Sequence, residues 1–302
     1  MSSAELGPGP AGSSRLPPWI RTRPPEGAKY FALRSSLTDH DLGTVCREAR
    51  CPNLPECWSA GTATVMLLGT DCTRRCGFCA VRTHWSNGRV DAEEPHRVAE
   101  AVARWGLRYV VLTQVCRDDL ADGGAGILAE TLREIRRRSP PSRVELLIGD
   151  LGGSRPALEE IVAARPDVLG HNLETVERLS PGVRDRRAGY RASLELFVRA
   201  RALPGPPLVT KSSLMLGLGE SDAEISDAFR DLRASGVDLL TLGQYLRPSP
   251  AHLPVQRYVT PEEFERYRSE ALGAGFRGVE AGPLVRSSYH AEELYDRARG
   301  SG

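Results

Sequence analysis

The 302-residue chain is almost without lysine: of its 40 basic residues only Lys29 and Lys211 are not arginine. A coding bias towards Arg, Ala, Gly and Pro accounts for most of this. It singles out the surviving lysines, because arginine cannot stand in for a compact ammonium. Net charge is lacking too. At +1 the chain has no field for broad capture of nucleic acid or an anionic membrane surface, although local patches stay available to a partner. No run approaches the ~20 apolar residues that a bilayer span needs. The opening Met1-Ser-Ser-Ala-Glu-Leu-Gly-Pro-Gly-Pro10 has neither the cationic start nor the apolar stretch of a secretory signal. Histidines in a paired-knuckle zinc frame are missing, since His40 and His84 fall outside any C-x2-C…H-x3-H spacing. An odd seven cysteines in a chain this long does not read as a secreted disulfide framework either. What remains is an ordinary soluble composition, 40% hydrophobic and 26% charged, long enough for one barrel-like domain or two smaller units. Reduced cysteines favour a reducing compartment, and the cytoplasm is the expected place.

Six of the seven cysteines fall into two tight triplets. Cys72, Cys76 and Cys79 have the spacing C-x3-C-x2-C, and Cys46, Cys51 and Cys57 the spacing C-x4-C-x5-C. Three neighbouring thiolates hold three irons of a cubane cluster and leave the fourth iron without a protein ligand. An open iron is a site for chemistry, and two clusters with three cysteines each are the simplest account. A zinc site asks for four ligands, and each group offers three.

Residues 1–27 are rich in Pro, Gly, Ser and Arg and read as a flexible leader. Residues 28–60 form an extension that carries the first triplet in a loop broken by Pro52 and Pro55. Residues 61–275 form the core and residues 276–302 a polar tail. Within the core, β-prone runs at 64–69, 108–113, 144–149, 167–171, 208–215 and 239–245 alternate with helical stretches at 94–105, 127–138, 156–164, 191–203 and 221–235. A last helix is expected near 261–272 and a short apolar run at 278–280. Six strand–helix repeats imply parallel strands with right-handed crossovers, fewer than the eight of a closed barrel. The expected fold is therefore α/β, an open partial (β/α)6 barrel with N- and C-terminal extensions. Cys72, Cys76 and Cys79 follow the first strand, at the end of a parallel barrel where ligands sit. Asn172 and Glu174 follow the fourth strand and either point into that mouth or cap the next helix. Lys211 follows Pro207-Leu-Val-Thr210, a strand-like run, and is expected at its C-terminal end.

The strings Cys51-Pro-Asn-Leu-Pro-Glu-Cys57-Trp, Gly61-Thr-Ala-Thr64 and Cys72-Thr-Arg-Arg-Cys76-Gly-Phe-Cys79-Ala-Val resemble the lipoyl synthase family of radical S-adenosylmethionine enzymes. Arg117-Asp-Asp-Leu120, Asp122-Gly-Gly124, His171-Asn-Leu-Glu-Thr175, Gly217-Leu-Gly-Glu220, Gly243-Gln-Tyr-Leu-Arg-Pro248 and Arg286-Ser-Ser-Tyr289 extend the resemblance over residues 17–292. It implies the radical SAM type of partial barrel and two 4Fe-4S clusters. The cluster on Cys72, Cys76 and Cys79 binds S-adenosylmethionine at its open iron and cleaves it to a 5′-deoxyadenosyl radical. That radical abstracts hydrogen from C6 and C8 of an octanoyl chain on a carrier lysine, and the cluster on Cys46, Cys51 and Cys57 gives up the sulfur of the lipoyl product. Ser288, with Ser287 as the alternative, completes the second cluster. Asn172 and Glu174 hold the methionyl ammonium or the ribose. Arg286 pairs with the methionyl carboxylate or stabilises the tail, and Lys211 binds a carboxylate or a carbonyl. The partners implied are an octanoylated lipoyl carrier domain (an E2 subunit or the glycine cleavage H protein), an electron donor such as ferredoxin or flavodoxin, and a cluster-assembly or carrier protein; no nucleic acid and no membrane.

The chain departs from the family pattern at three places. Val115-Cys116-Arg-Asp-Asp stands where the family has Val-Asp-Arg-Asp-Asp, Ser212-Ser213 replaces Thr-Gly, and Asp150-Leu151 replaces Asp-Phe. These surround the pocket and keep two other readings open: a specialised paralogue that inserts sulfur into another acyl chain, and an iron–sulfur sensor without turnover.

Overall fold

The computed structural model describes residues 16–21, 27–59 and 64–300. Most of the expected leader, residues 1–15 and 22–26, lies outside the described residues.

The extension folds as α1 (Gly27–Asp39), β1 (Gly43–Thr44), α2 (Val45–Glu48) and α3 (Leu54–Ser59). The loop expected around the first triplet is therefore partly helical. Pro55 is the second residue of α3, within the first turn, where a missing N–H costs nothing. Thr44 caps α2 by accepting from the Arg47 N–H. Trp58 of α3 is buried, and Tyr30 of α1 packs on it with ring centroids 5.5 Å apart.

The core strands follow as β2 (Thr64–Leu67), the short pair β3 (Asp71–Cys72) and β4 (Arg82–Thr83), then α4 (Glu94–Trp105), β5 (Tyr109–Gln114), α5 (Ala125–Arg138), β6 (Arg143–Leu147), α6 (Arg155–Ala163), β7 (Val168–Gly170), α7 (Ser180–Val183), α8 (Tyr190–Ala202), β8 (Val209–Leu216), α9 (Asp222–Ala234), β9 (Leu239–Gln244), α10 (Pro261–Gly273), β10 (Gly278–Gly282) and α11 (Ala291–Gly300). Local chemistry sets the helix starts: Ser221 with Glu224 and Thr260 with Glu263 form reciprocal capping boxes. Among the described residues the main sheet has eight strands in the order β1-β2-β5-β6-β7-β8-β9-β10, parallel except for β1 on β2. Six strand–helix repeats form the open partial barrel, and β10 adds a seventh parallel strand beside β9. Strands covered on both faces read as continuous apolar runs, and β2 and β9 are buried along their whole length.

The tail is not simply polar. Ala291, Leu294, Tyr295 and Ala298 recur at helical spacing and are all buried. They pack on Tyr109, Val111, Val168 and Leu239, residues at the N-terminal ends of their strands, so α11 closes the floor of the barrel. No helix among the described residues is long and apolar enough to cross a membrane.

Lys211 differs from its expected place. Strand β8 runs on to Leu216, which leaves Lys211 third in the strand and low in the barrel. Its ammonium lies 2.8 Å from Glu145 Oε1, and both side chains are almost fully buried, at 3% and 2% exposure. Tyr109 Oη donates to the other oxygen of the same carboxylate at 2.8 Å. The ammonium is thus committed to an internal ion pair. Lys211→Ala should strand the Glu145 charge and cost about 3–5 kcal/mol, read as a lower urea midpoint. The double replacement Lys211→Met with Glu145→Leu should recover most of that loss.

Candidate functional site

Cys72, Cys76 and Cys79 all lie in the connection between β2 and α4, at the C-terminal end of the sheet. Their loop is clamped from four sides. Arg74, inside the C-x3-C spacer and with a side chain only 5% exposed, forks onto two carboxylates: its Nη2 lies 2.7 Å from Asp118 Oδ1 and 2.6 Å from Asp150 Oδ1. Burial opposes ionisation of Asp150, and Arg74 more than offsets it, holding that carboxyl below its ordinary range. Thr73 Oγ1 donates to Asp118 at 2.7 Å, and Arg187 donates to the Thr73 carbonyl at 2.7 Å. Asp185 accepts from the Arg75 N–H at 2.8 Å, while its own N–H donates to Cys76 Sγ at 3.4 Å. The Leu253 N–H donates to the Gly77 carbonyl at 3.1 Å, and His252 Nε2 stands 3.1 Å from the Cys79 carbonyl. Loops after β5, β6, β7 and β9 thereby fix one cysteine loop.

The sulfurs feel one another. Burial, reinforced by Cys76 and Cys72, pushes the Cys79 thiol up to about 12, and burial with the Glu174 charge pushes Cys76 up to about 11. Cys72 is drawn down, by the neighbouring Cys116 thiol first and by the Arg74 N–H, which donates to its sulfur at 3.4 Å. Glu174 is half-buried with its carboxyl raised by desolvation, holds a positive φ of 70°, and among the described residues its carboxylate accepts from Asn172 Nδ2 at 3.1 Å. The next helix, α7, begins at Ser180, so the Asn172–Glu174 pair does not cap it. The fold instead brings both residues to the second triplet. A strained backbone at a half-buried acid is the kind of feature that clusters at functional sites.

The first triplet lies at the open edge of the sheet. Cys46 belongs to α2, Cys57 to α3, and Cys51 sits between them. Burial first, then the charges of Cys46 and Cys51, push Cys57 up to about 12. Over this loop passes the segment that follows β10. Asn53 Nδ2 donates to the Leu284 carbonyl at 2.5 Å, and Tyr289 Oη donates to Glu56 at 3.0 Å. Ser287 and Ser288 lie between those two ties. The segment passes close beside β9 because Gly243 has no side chain: a Cβ there would fall on the Val285 carbonyl oxygen. Of the two places expected for Arg286, a methionyl carboxylate or the tail, the structure shows a contact within the tail. Its guanidinium donates to the Val285 carbonyl at 2.7 Å, is near enough to Cys51 to feel its charge, and has no carboxylate partner among the described residues. Burial lowers its proton affinity, and Cys51 opposes that.

The donor set fits a cluster at each triplet. All seven cysteines are free, and within each triplet one thiolate's charge raises its neighbours' proton affinity, so that thiolates there need a cationic centre. Asn53 Oδ1, between Cys51 and Cys57, is buried without a partner. Among the described residues no three His, Cys, Asp or Glu side chains gather as a single metal ion would require. A cubane makes no such demand, since each thiolate holds its own iron. Sequence reasoning missed Arg74, Asp150 and Glu56 as partners in the site; the one available signal was a basic residue inside the triplet spacer.

A model of the radical SAM superfamily matches residues 66–232, and a model of the N-terminal domain of lipoyl synthase matches residues 7–51. The chain is 57% identical to the lipoyl synthase of Thermus thermophilus, covering 92% of this chain and 86% of that one. It is 52% identical to that of Marinobacter nauticus (94% and 81% covered) and 51% identical to a mitochondrial lipoyl synthase of Zygosaccharomyces rouxii (94% and 74%). Among solved structures, the hydrogenase maturase HydG of Carboxydothermus hydrogenoformans superposes with a TM-score of 0.56 at 15% identity, over 78% of this chain and 56% of that one. At that identity the likeness speaks for the fold alone. With the matched domains and this identity over nearly its whole length, the chain belongs to the lipoyl synthase family of radical SAM enzymes.

Proposed function

We propose that the two triplets divide the work of a lipoyl synthase, a radical SAM sulfurtransferase that converts a protein-bound octanoyl-lysine into lipoyl-lysine. When bound, a 4Fe-4S cluster on Cys72, Cys76 and Cys79 supplies one-electron cleavage of S-adenosylmethionine, and a second on Cys46, Cys51 and Cys57 supplies the sulfur. Unactivated C–H bonds are beyond acid–base chemistry, which is why the residues here bind and position and do not act as general acids or bases.

The observation that carries the reading is the pair of hydrogen bonds, Asn53 to Leu284 and Tyr289 to Glu56, that ties Arg286-Ser-Ser-Tyr289 to the first-triplet loop. Ser288 is the residue assigned to complete the second cluster, with Ser287 as the alternative. Asn172 and Glu174 present an amide and a carboxylate towards Cys76, suited to the ammonium or the ribose of S-adenosylmethionine. Arg286 sets a cation against Cys51, which suits an anionic cluster. The acyl substrate arrives on a lipoyl carrier domain; a ferredoxin or flavodoxin supplies electrons, a cluster-assembly protein restores the consumed sulfur, and the reducing compartment is the cytoplasm.

Replacing Cys72, Cys76 and Cys79 with Ala should remove about half of the eight irons that two cubanes hold and abolish 5′-deoxyadenosine formation. Replacing Cys46, Cys51 and Cys57 should preserve 5′-deoxyadenosine and eliminate the lipoyl product, both read by mass spectrometry with an octanoyl-lysine peptide. Lipoyl formation by the second variant would overturn the division of labour, and iron without any 5′-deoxyadenosine in the unsubstituted protein would make it a sensor. Ser288→Ala should stop sulfur insertion while sparing S-adenosylmethionine cleavage; full activity with both Ser287 and Ser288 replaced would remove the tail from the mechanism. Gly243→Ala should push Val285 off β9 and lower iron at the first triplet, seen as iron content falling towards that of the Cys46/Cys51/Cys57 variant.

A further inference from the structure

Two stretches of this chain carry no acid. Residues 72–90 and 245–261 contain neither Asp nor Glu, although the sequence has 39 acids in 302 residues. The fold packs the two stretches on one another at the second triplet: the Leu253 N–H donates to the Gly77 carbonyl at 3.1 Å, and His252 Nε2 stands 3.1 Å from the Cys79 carbonyl. A third segment joins them where Asp185 accepts from the Arg75 N–H at 2.8 Å. Asp71, Asp119 and Asp185 approach this face, but each is already paired, with Arg82, Arg117 and Arg187. Arg75, Arg89 and Arg186 are exposed, and their guanidinium groups have no partner among the described residues. Arg247, also exposed, donates to the carbonyls of Pro250 and His252. Apolar surface stands among these cations, since Trp85 and Val90 are each 48% exposed. The turn that carries them is held firmly. The His84 N–H donates to the Cys72 carbonyl at 2.9 Å, the Gly88 N–H to Asp119 at 2.8 Å, and Arg117 to the Arg89 carbonyl at 2.6 Å. A fixed, exposed tryptophan among unpaired arginines has the make-up of a protein-binding surface, where Trp and Arg carry most of the energy.

We infer that this face docks an anionic one-electron donor protein, with Arg75, Arg186 and Trp85 as its main contacts. In a chain of net charge +1, positive charge gathered on one face steers an acidic partner to that face. Position selects the electron donor over the acyl carrier. The face is tied to Cys72, Gly77 and Cys79, and Arg75 adjoins Cys76, so a partner seated here lies directly against the second-triplet loop. Electron transfer needs that proximity and nothing from the first triplet. An acyl chain must meet both triplets, and the first lies at the sheet edge beneath the tail. The donor's reduced centre is oxidised by one electron, and that electron is used at the second triplet to cleave S-adenosylmethionine. The inference rests on reading that triplet as the site of one-electron cleavage.

The test compares two reductants on the anaerobic, reconstituted full-length holoenzyme. Reduced flavodoxin is an acidic protein; reduced methyl viologen is a small cation that needs no docking surface. Arg75→Glu with Arg186→Glu should weaken flavodoxin binding, read by calorimetry, and slow flavodoxin-driven 5′-deoxyadenosine formation, each by about tenfold. The difference should shrink at high salt, and the viologen-driven rate should stay unchanged. Arg165→Glu, on the connection between α6 and β7 at the opposite end of the sheet, should alter neither. Should charge reversal disturb the ligand loop, so that the viologen-driven rate falls as well, Arg75→Gln with Arg186→Gln and the separate Trp85→Ala make the same comparison. Unchanged flavodoxin binding and rate in variants that keep the viologen-driven rate would overturn the proposal. So would a raised KM for an octanoylated carrier domain with flavodoxin binding intact, which would give the face to the acyl carrier. If neither reductant yields 5′-deoxyadenosine from the unsubstituted protein, it is the reading of the second triplet that fails, and flavodoxin binding still decides the docking face.

Discussion

The mouth of this barrel depends on one buried guanidinium. Arg74 lies between Cys72 and Cys76, and its fork meets Asp118 from the loop after β5 and Asp150 from the loop after β6. A cation so enclosed is tolerable only with both partners in place. The cysteine loop therefore has one conformation in which Arg74 is satisfied, and the positions of all three sulfurs follow from it. Asp118 extends the control, because it also accepts from Thr73 Oγ1, while the Thr73 N–H donates to the Cys116 carbonyl. A single charge cluster thus sets both the ligand loop and the backbone at Cys116.

The open sheet leaves a second problem, at its two free edges. On one side β1 and the first-triplet helices cover β2; on the other β10 ends the sheet. The segment after β10 joins them. It starts beside Gly243 at the end of β9, is tied to Asn53 and Glu56, and continues into α11 beneath the strands. An apolar stripe on α11 and the internal Lys211–Glu145 pair close the floor, so polar contacts to a ligand are left to the opposite end. The same tail therefore serves stability at one end and the first triplet at the other.

Much of this was legible in the chain. The six core strands were readable because parallel strands covered on both faces must be apolar throughout, and their helices because capping and periodicity mark them locally. The α11 helix was not recognised, since a short apolar stripe among arginines and glutamates gains its meaning only from the floor it covers. Lys211 was placed at the end of a strand although the β-prone run of 208–215 already continues past it; the fold shows the two serines that follow buried inside the barrel. Arg286 was read with two alternatives, a methionyl carboxylate or the tail, and only the fold shows its surroundings: the Val285 carbonyl and the charge of Cys51, far away in sequence.

The sequence by itself determined the chemistry on offer: two three-thiol sets, their spacings, the surplus thiol and the serine pair near the end. Residue type and short-range spacing suffice for that, because a ligand loop is a local object. Only the tertiary structure decided which groups meet. Arg74 finds its partners 44 and 76 residues away, and Asn53 finds Leu284 at a separation of 231. Those encounters are set by the order in which parallel strands pair, and that order is fixed by burying the helices' apolar faces on the sheet. No spacing within a loop records it.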